Sequence, residues 1–234
     1  MSVAVIPARG GSKRIPRKNI REFCGKPMIA WSILAAIESG CFDRIIVSTD
    51  DDEIAEVAER YGAEVPFRRP PELADDYAGT VPVIAHAIER LRANGDSPEN
   101  VCCVYATAPL LQPSDIRKGR EALEINAADY AFSVTNYAFP IQRALRLDRK
   151  GRVGMFFPEY ANARSQDLEE SWHDAGQFYW GRSESWAASK PIMTAAAIPI
   201  FLPRDRVQDI DTPEDWRRAE AQFKAIQVGP RPRN

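Results

Sequence analysis

Short apolar runs alternate with amphipathic stretches through the first 136 residues, and Gly, Pro or a capping residue marks most of the switches. Residues 3–6 are apolar and end at Pro7, which predicts a buried parallel strand. A loop over 8–19 follows, then a helix over 28–39 with Pro27 at its first position and Gly40 as its stop. A second strand is expected over 44–48. A helix capped within 50–52 then runs to Tyr61 and closes at Gly62. Residues 64–67 suggest a short strand. Residues 68–79 carry Pro70 and Pro71 without periodicity and read as a loop. Thr80 is the expected cap of a helix reaching Asn94, with Pro82 in its first turn. A strand over 101–105, a helix over 115–125 capped by Ser114, and a strand over 130–134 complete the series. The alternation predicts an α/β fold, a parallel sheet covered by helices on both faces through right-handed crossovers.

The pattern breaks after Asn136. Residues 139–147 alternate in part and predict an excursion strand, 149–154 a turn, and 160–173 a polar, irregular stretch of a length usually tied to function or a partner. Strands are expected again over 176–181 and 195–201, with an edge element over 207–210. The closing helix over 213–226 has Thr212 as cap and Glu214 and Asp215 in its first turn. The tail 229–234 is expected to be disordered. The chain therefore reads as one domain over 1–228, with an excursion over about 137–175.

With 234 residues the chain can bury roughly 70% of its unfolded surface without staples. A net charge of −2 argues against a generic nucleic-acid binder. Its four cysteines, Cys24, Cys41, Cys102 and Cys103, form no CxxC, and there are two histidines, so structural zinc is not expected. Cys102 and Cys103 lie in an apolar run and read as small core residues. The apolar start is too short for a signal peptide, and the longest apolar stretch, near 28–37, falls short of the ~20 residues of a membrane span. A cytoplasmic protein without membrane contact is expected.

Charge is unevenly placed. Seven basic residues (Arg9, Lys13, Arg14, Arg17, Lys18, Arg21 and Lys26) stand between positions 9 and 26 against one acidic residue, Glu22. A basic, Gly-rich loop on an otherwise acidic chain points to a polyanionic ligand held in one place. The loop also follows the first strand of a parallel sheet, where such sheets place ligands. Gly10 and Gly11 allow close backbone approach and a nest of N–H groups, while Arg9, Lys13 and Lys18 supply charged donors. The implied ligand is a triphosphate. The Walker A spacing fails because Gly25-Lys26 is followed by Pro27, and GxGxxG is absent, which disfavours NAD chemistry. Asp209 and Asp211 are two apart, so on an extended segment both carboxylates face one way and suit Mg²⁺. Asp211 and Thr212 equally suit a helix start before Pro213.

The run Ala8-Arg9-Gly10-Gly11-Ser12-Lys13, then Pro16 and Lys18-Asn19, resembles the signature of the cytidylyltransferases that activate nonulosonic acids with CTP. Val47-Ser48-Thr49-Asp50, Arg69-Pro70-Pro71-Glu72-Leu73-Ala74 and Asp209-Ile210-Asp211-Thr212 follow in that family's order. The resemblance implies a Rossmann-like three-layer α/β/α nucleotidyltransferase fold whose arm dimerises and reaches into the neighbouring subunit's site. It also implies CTP and an acidic nine-carbon sugar as partners. Arg9 and Lys18 would contact the phosphates, and the backbone from Gly10 to Lys13, with Ala8 beside it, would cradle them. Asn19 would order the loop or touch the nucleotide, Arg69 and Thr80 would contact base or ribose, and Asp209 and Asp211 would hold Mg²⁺.

For the sugar, Tyr105 and Leu111 stand where the N-acetylneuraminate enzymes of the family carry Gln and Arg, while 139–145 and 174–180 resemble the pseudaminate branch. One arginine is expected at the sugar carboxylate, Arg164 first and Arg143 second. Tyr105, Thr107, Gln142 and Tyr179 complete the expected sugar set. Phe178 and Trp180 equally suit strand core, and His86 reads as packing. Another acidic sugar, or a non-catalytic nucleotide-binding regulator, are the competing readings.

Overall fold

The computed structural model describes residues 1–228; the tail 229–234, expected to be disordered, lies outside the described residues. In chain order the framework is β1 (Ser2–Pro7), the two-residue strands β2 (Glu22–Phe23) and β3 (Lys26–Pro27), α1 (Met28–Ser39), β4 (Arg44–Ser48), α2 (Asp52–Arg60), α3 (Thr80–Ala93), β5 (Asn100–Val104), α4 (Pro113–Ile125) and β6 (Tyr130–Asn136). The excursion carries β7 (Leu145–Leu147) and β8 (Val153–Met155). Then come β9 (Trp172–Arg182), α5 (Ser183–Ala187), β10 (Ala197–Phe201) and α6 (Pro213–Val228).

Six strands form one sheet in the order β10-β6-β9-β5-β1-β4. Side chains alternate across it as pleating requires. Ile6, Val47, Cys102, Val104, Phe178 and Trp180 face Ile29, Ile33, Ile54 and Ile116 of α1, α2 and α4. Val3, Val5, Val101, Cys103 and Tyr130 face Ile84, Ile88, Leu91 and Trp186 of α3 and α5. The result is the three-layer arrangement expected. Phe178 and Trp180 are core, as are Cys102 and Cys103. Gly119 lets α4 lie flat on β9, since a Cβ there would come within 2.6 Å of the Phe178 ring. His86 packs edge-on against Phe67. Beside this sandwich, Trp216 and Phe223 of α6 close edge-on over Phe23.

The sheet is mostly parallel, but β9 runs antiparallel between β5 and β6. It spans eleven residues, longer than the 176–181 expected, because its first half continues past a bulge. Residues 64–68 make only two isolated parallel bridges to the β4 edge, Ile46 with Glu64 and Thr49 with Arg68, in place of a strand. Residues 207–210 likewise form no strand, being preceded by a 3₁₀ turn at Arg204–Arg206.

Some helix starts differ from expectation by one or two positions, while that of α2 falls within the expected 50–52. Pro27 precedes α1 and is not its first residue. Asp51 caps α2, accepting from the Ile54 N–H. Gly79 and Gln112, with no side-chain bond, stand where Thr80 and Ser114 were expected. Thr212 performs as expected: its Oγ1 accepts the Asp215 N–H at 3.2 Å, and Asp215 accepts the Thr212 N–H at 2.8 Å.

The excursion is a 3₁₀ turn at Ile141–Arg143 followed by the β7–β8 hairpin. It buries little within the chain: Phe139 is 82% and Leu147 71% exposed.

Candidate active site

Strand order reverses about β1, with β4 on one side and β5 on the other, and a crevice opens at the carboxyl end of β1. A cavity of about 550 Å³ lies there. Its walls come from the loop after β1 (Arg9, Ser12, Lys13, Arg14, Ile15, Lys18, Asn19), the segment entering α3 (Asp76 to Thr80), the end of β5 (Tyr105 to Thr107), Arg69 and Asp211.

The loop's shape is fixed from inside. Asn19, buried, donates its side-chain amide to the Arg9 carbonyl at 2.9 Å. It thus orders the loop, and it also lines the cavity. Gly10 donates its N–H to Asp50 at 3.0 Å, and Ser12 donates to the Gly10 carbonyl. These two N–H groups are therefore engaged within the protein. Gly10 is required for a reason other than ligand approach: a Cβ there would lie 2.6 Å from Asp51 Oδ2, whereas one at Gly11 would meet open space. Ala8 is buried beneath the loop.

Arg17, at a left-handed φ of 56°, clamps the loop to the start of α2 through two hydrogen bonds to Asp51, at 2.5 and 2.8 Å. Hydrogen bonding to this guanidinium holds the Asp51 carboxyl down at about 2. A depressed folded-state value stabilises the protein above the ordinary carboxylate range and loses that contribution as pH falls toward 2. Asp51→Asn is expected to cost roughly 1–2 kcal/mol at neutral pH, allowing for screening of the partly exposed Arg17, and to flatten the stability loss between about pH 4 and 2. Urea titrations across that range check it; an unchanged acid limb would remove the clamp from the account.

Lys18 reaches across to the start of α6. Its Nζ donates to the Ile210 carbonyl at 2.7 Å and lies 3.2 Å from Asp211 Oδ1, while Arg14 pairs with Asp211 Oδ2 at 2.8 Å. Asp209 stands beside this cluster, outside the cavity lining. Desolvation first, then the charge of Asp211, push its carboxyl above the ordinary value. Two carboxylates under mutual repulsion are a donor set that a divalent cation would relieve. No group of three or more His, Cys, Asp or Glu is arranged for a metal among the described residues. Asp209 and Asp211 are the residues that would hold Mg²⁺, which takes one or two protein carboxylates and fills the rest of its shell from phosphates and water.

Arg69 is buried at 6% exposure and held by Ser48 Oγ at 3.2 Å and the Ser48 carbonyl. Burial pulls its guanidinium down to about 10. Thr80 Oγ1 lies 2.7 Å from the Tyr105 hydroxyl, and Thr107 lines the cavity beside them.

Asp76 carries a role the sequence did not disclose. It pairs with Arg9 at 2.7 Å and with Lys13, so one carboxylate engages two of the loop's cations. Arg14, counted only in the basic run, is part of the Asp211 cluster. No spacing rule reaches across the more than sixty positions between Asp76 and the loop.

The remaining sugar candidates are not gathered at this cavity by the chain itself. Gln142 donates to the Glu169 carbonyl, Arg143 to the Ala163 carbonyl, and Arg164 pairs with Asp167 at 2.7 Å, all on the excursion. Tyr179 is buried one layer behind Tyr105, its hydroxyl on Asp174 at 2.5 Å.

A basic nucleotide-sized crevice at the switch point of this sheet defines a nucleotidyltransferase class of site, and residues 3–177 match the family described as cytidylyltransferase. The chain belongs to the cytidylyltransferase family and is a CTP-dependent nucleotidyltransferase. It is 45% identical to a pseudaminic acid cytidylyltransferase of Campylobacter jejuni, over 95% of this chain and 96% of that one. A CMP-N,N'-diacetyllegionaminic acid synthase of Legionella pneumophila is 32% identical over 93% of this chain and 94% of its own. The fold matches a CMP:2-keto-3-deoxy-manno-octonic acid synthetase complexed with CTP, with a TM-score of 0.70 and 15% identity, over 95% of this chain and 98% of that one.

Proposed function

We propose that this protein transfers the cytidylyl group of CTP to pseudaminic acid, releasing pyrophosphate, as a cytoplasmic, Mg²⁺-dependent homodimer. The observation that carries the reading is the cavity at the end of β1, where Arg9, Lys13, Lys18 and Arg69 surround a space of nucleotide size. In the reaction a sugar hydroxyl forms a bond to the α-phosphorus, and the bond from that phosphorus to the bridging oxygen of the β-phosphate breaks. The protein's work is positioning and neutralising charge on the leaving group. Lys18 and Arg9 face that charge, and the entering triphosphate competes with Asp76 for Arg9 and Lys13. Mg²⁺ at Asp209 and Asp211 would supply Lewis-acid polarisation of phosphate oxygens.

The sugar assignment is supported by full-length similarity to the Campylobacter relative and by Tyr105 and Leu111 in place of the N-acetylneuraminate pair. Pseudaminic acid has two acylamido groups, a C9 methyl and inverted ring stereochemistry. A site that leaves a buried polar group unpaired loses ~1–3 kcal/mol. Two mismatches therefore give roughly 10²- to 10⁴-fold discrimination. The exposed apolar side chains of the excursion, among them Phe139, Leu147 and Val153, support its reading as the dimer contact. Such a contact is the route by which Gln142, Arg143 and Arg164 would reach a partner's cavity.

The test is pyrophosphate release with each of the four NTPs and a panel of acidic sugars. The expected result is activity with CTP, and kcat/KM for pseudaminic acid at least about a hundredfold above that for N-acetylneuraminate. No release with any sugar would leave a nucleotide-binding regulator.

A further inference from the structure

Five basic side chains line the cavity, Arg9, Lys13, Arg14, Lys18 and Arg69, against two carboxylates, Asp76 and Asp211. The carboxylates divide four of the cations between them. Asp211 pairs with Arg14 and Lys18, while Asp76 pairs with Arg9 at 2.7 Å through one oxygen and with Lys13 through the other. The two acids differ in what else they do. Asp211 belongs to the start of α6, where its N–H donates to Asp215. Among the described residues the Asp76 side chain has no partner besides those two cations.

Neither backbone depends on the Asp76 pairs. The turn that carries Asp76 is shaped by its neighbour Asp75, whose Oδ1 accepts the Tyr77 N–H at 2.8 Å and the Ala78 N–H at 2.7 Å. The loop that carries Arg9 and Lys13 is held by Asn19, Asp50 and Arg17. Asp76 is therefore free to part from both cations without dismantling either segment. Its carboxylate offers a guanidinium and an ammonium what a phosphate offers, anionic oxygens for charge-assisted hydrogen bonds. A phosphate that takes the same donors displaces it, because like charges in contact repel. Binding a polyphosphate at Arg9 and Lys13 thus costs the pairs to Asp76, and losing the polyphosphate restores them.

We propose that Asp76 is an internal competitor that sets how firmly the site holds pyrophosphate. It yields Arg9 and Lys13 to the triphosphate of CTP and takes them back as the product leaves, so that pyrophosphate is released and not retained. The inference rests on the cytidylyl-transfer reading, which turnover by the wild-type protein checks first. The binding measurement needs neither CTP nor sugar, so the two fail separately.

The test is calorimetric titration of the purified protein with inorganic pyrophosphate, without added metal, for wild type and Asp76→Asn, which keeps the side chain's shape and removes its charge. Expected is a Kd about two- to thirtyfold lower in Asp76→Asn, the scale for two partly exposed ion pairs. The inhibition constant of pyrophosphate against CTP should fall by a similar factor in turnover. Asp76→Ser, too short to reach either cation, should tighten binding likewise, and melting of both variants should stay within a few degrees of wild type. Lys13→Gln separates competition from a general rise in positive field. In that background one of the two pairs is already gone, so Asp76→Asn should gain clearly less. Unchanged or weaker pyrophosphate binding in Asp76→Asn and Asp76→Ser, or an equal gain with and without Lys13, would overturn the proposal.

Discussion

EDTA is expected to abolish pyrophosphate release, and added Mg²⁺ to restore it. The expectation comes from the two carboxylates at the start of α6. Asp209 is pushed above its ordinary value by desolvation and by Asp211, while Asp211 alone is matched with cations of the loop, Lys18 and Arg14. A divalent ion shared with phosphate oxygens resolves that imbalance. Asp209→Asn and Asp211→Asn should each raise the Mg²⁺ concentration needed for half-maximal rate and lower turnover. If both retain the wild-type Mg²⁺ dependence, the pair serves only the helix start.

Lys18→Ala is expected to lower turnover by ~10²-fold or more, the scale for losing one preorganised donor to developing charge. Lys18 is 19% exposed in side-chain terms and lines the cavity, and its ammonium is already held by the Ile210 carbonyl and Asp211. It therefore meets the substrate without reorganising. The loop's fold rests on Asn19 and Arg17 instead, so thermal melting should stay within a few degrees of wild type. Near-normal turnover with a normal melt would remove Lys18 from the phosphate site.

The parts of this molecule legible in sequence are those governed by local rules. β1, α1 and β4 follow from apolar runs bounded by Pro and Gly, and the cation loop from its dense basic residues. The antiparallel insertion of β9 was hidden because strand direction is decided by tertiary pairing, and its bulge because Ser133, on another strand, satisfies the N–H groups that the ladder gives up. Thr80 illustrates how a local rule misleads: Ser or Thr before an apolar run suggests a cap, but here the hydroxyl turns to Tyr105 and Gly79 takes the cap position. Asp76 was invisible for a related reason: it acts on groups that the fold, and not the spacing, brings within reach.

Selection of pseudaminic acid by this cytidylyltransferase is tested most directly by a competition: purified protein, Mg²⁺, limiting CTP and equal concentrations of pseudaminic and N-acetylneuraminic acid, with both CMP-sugars quantified by mass. The expected result is CMP-pseudaminate in excess by at least about a hundredfold. Comparable amounts of the two products, or an excess of CMP-N-acetylneuraminate, would contradict it.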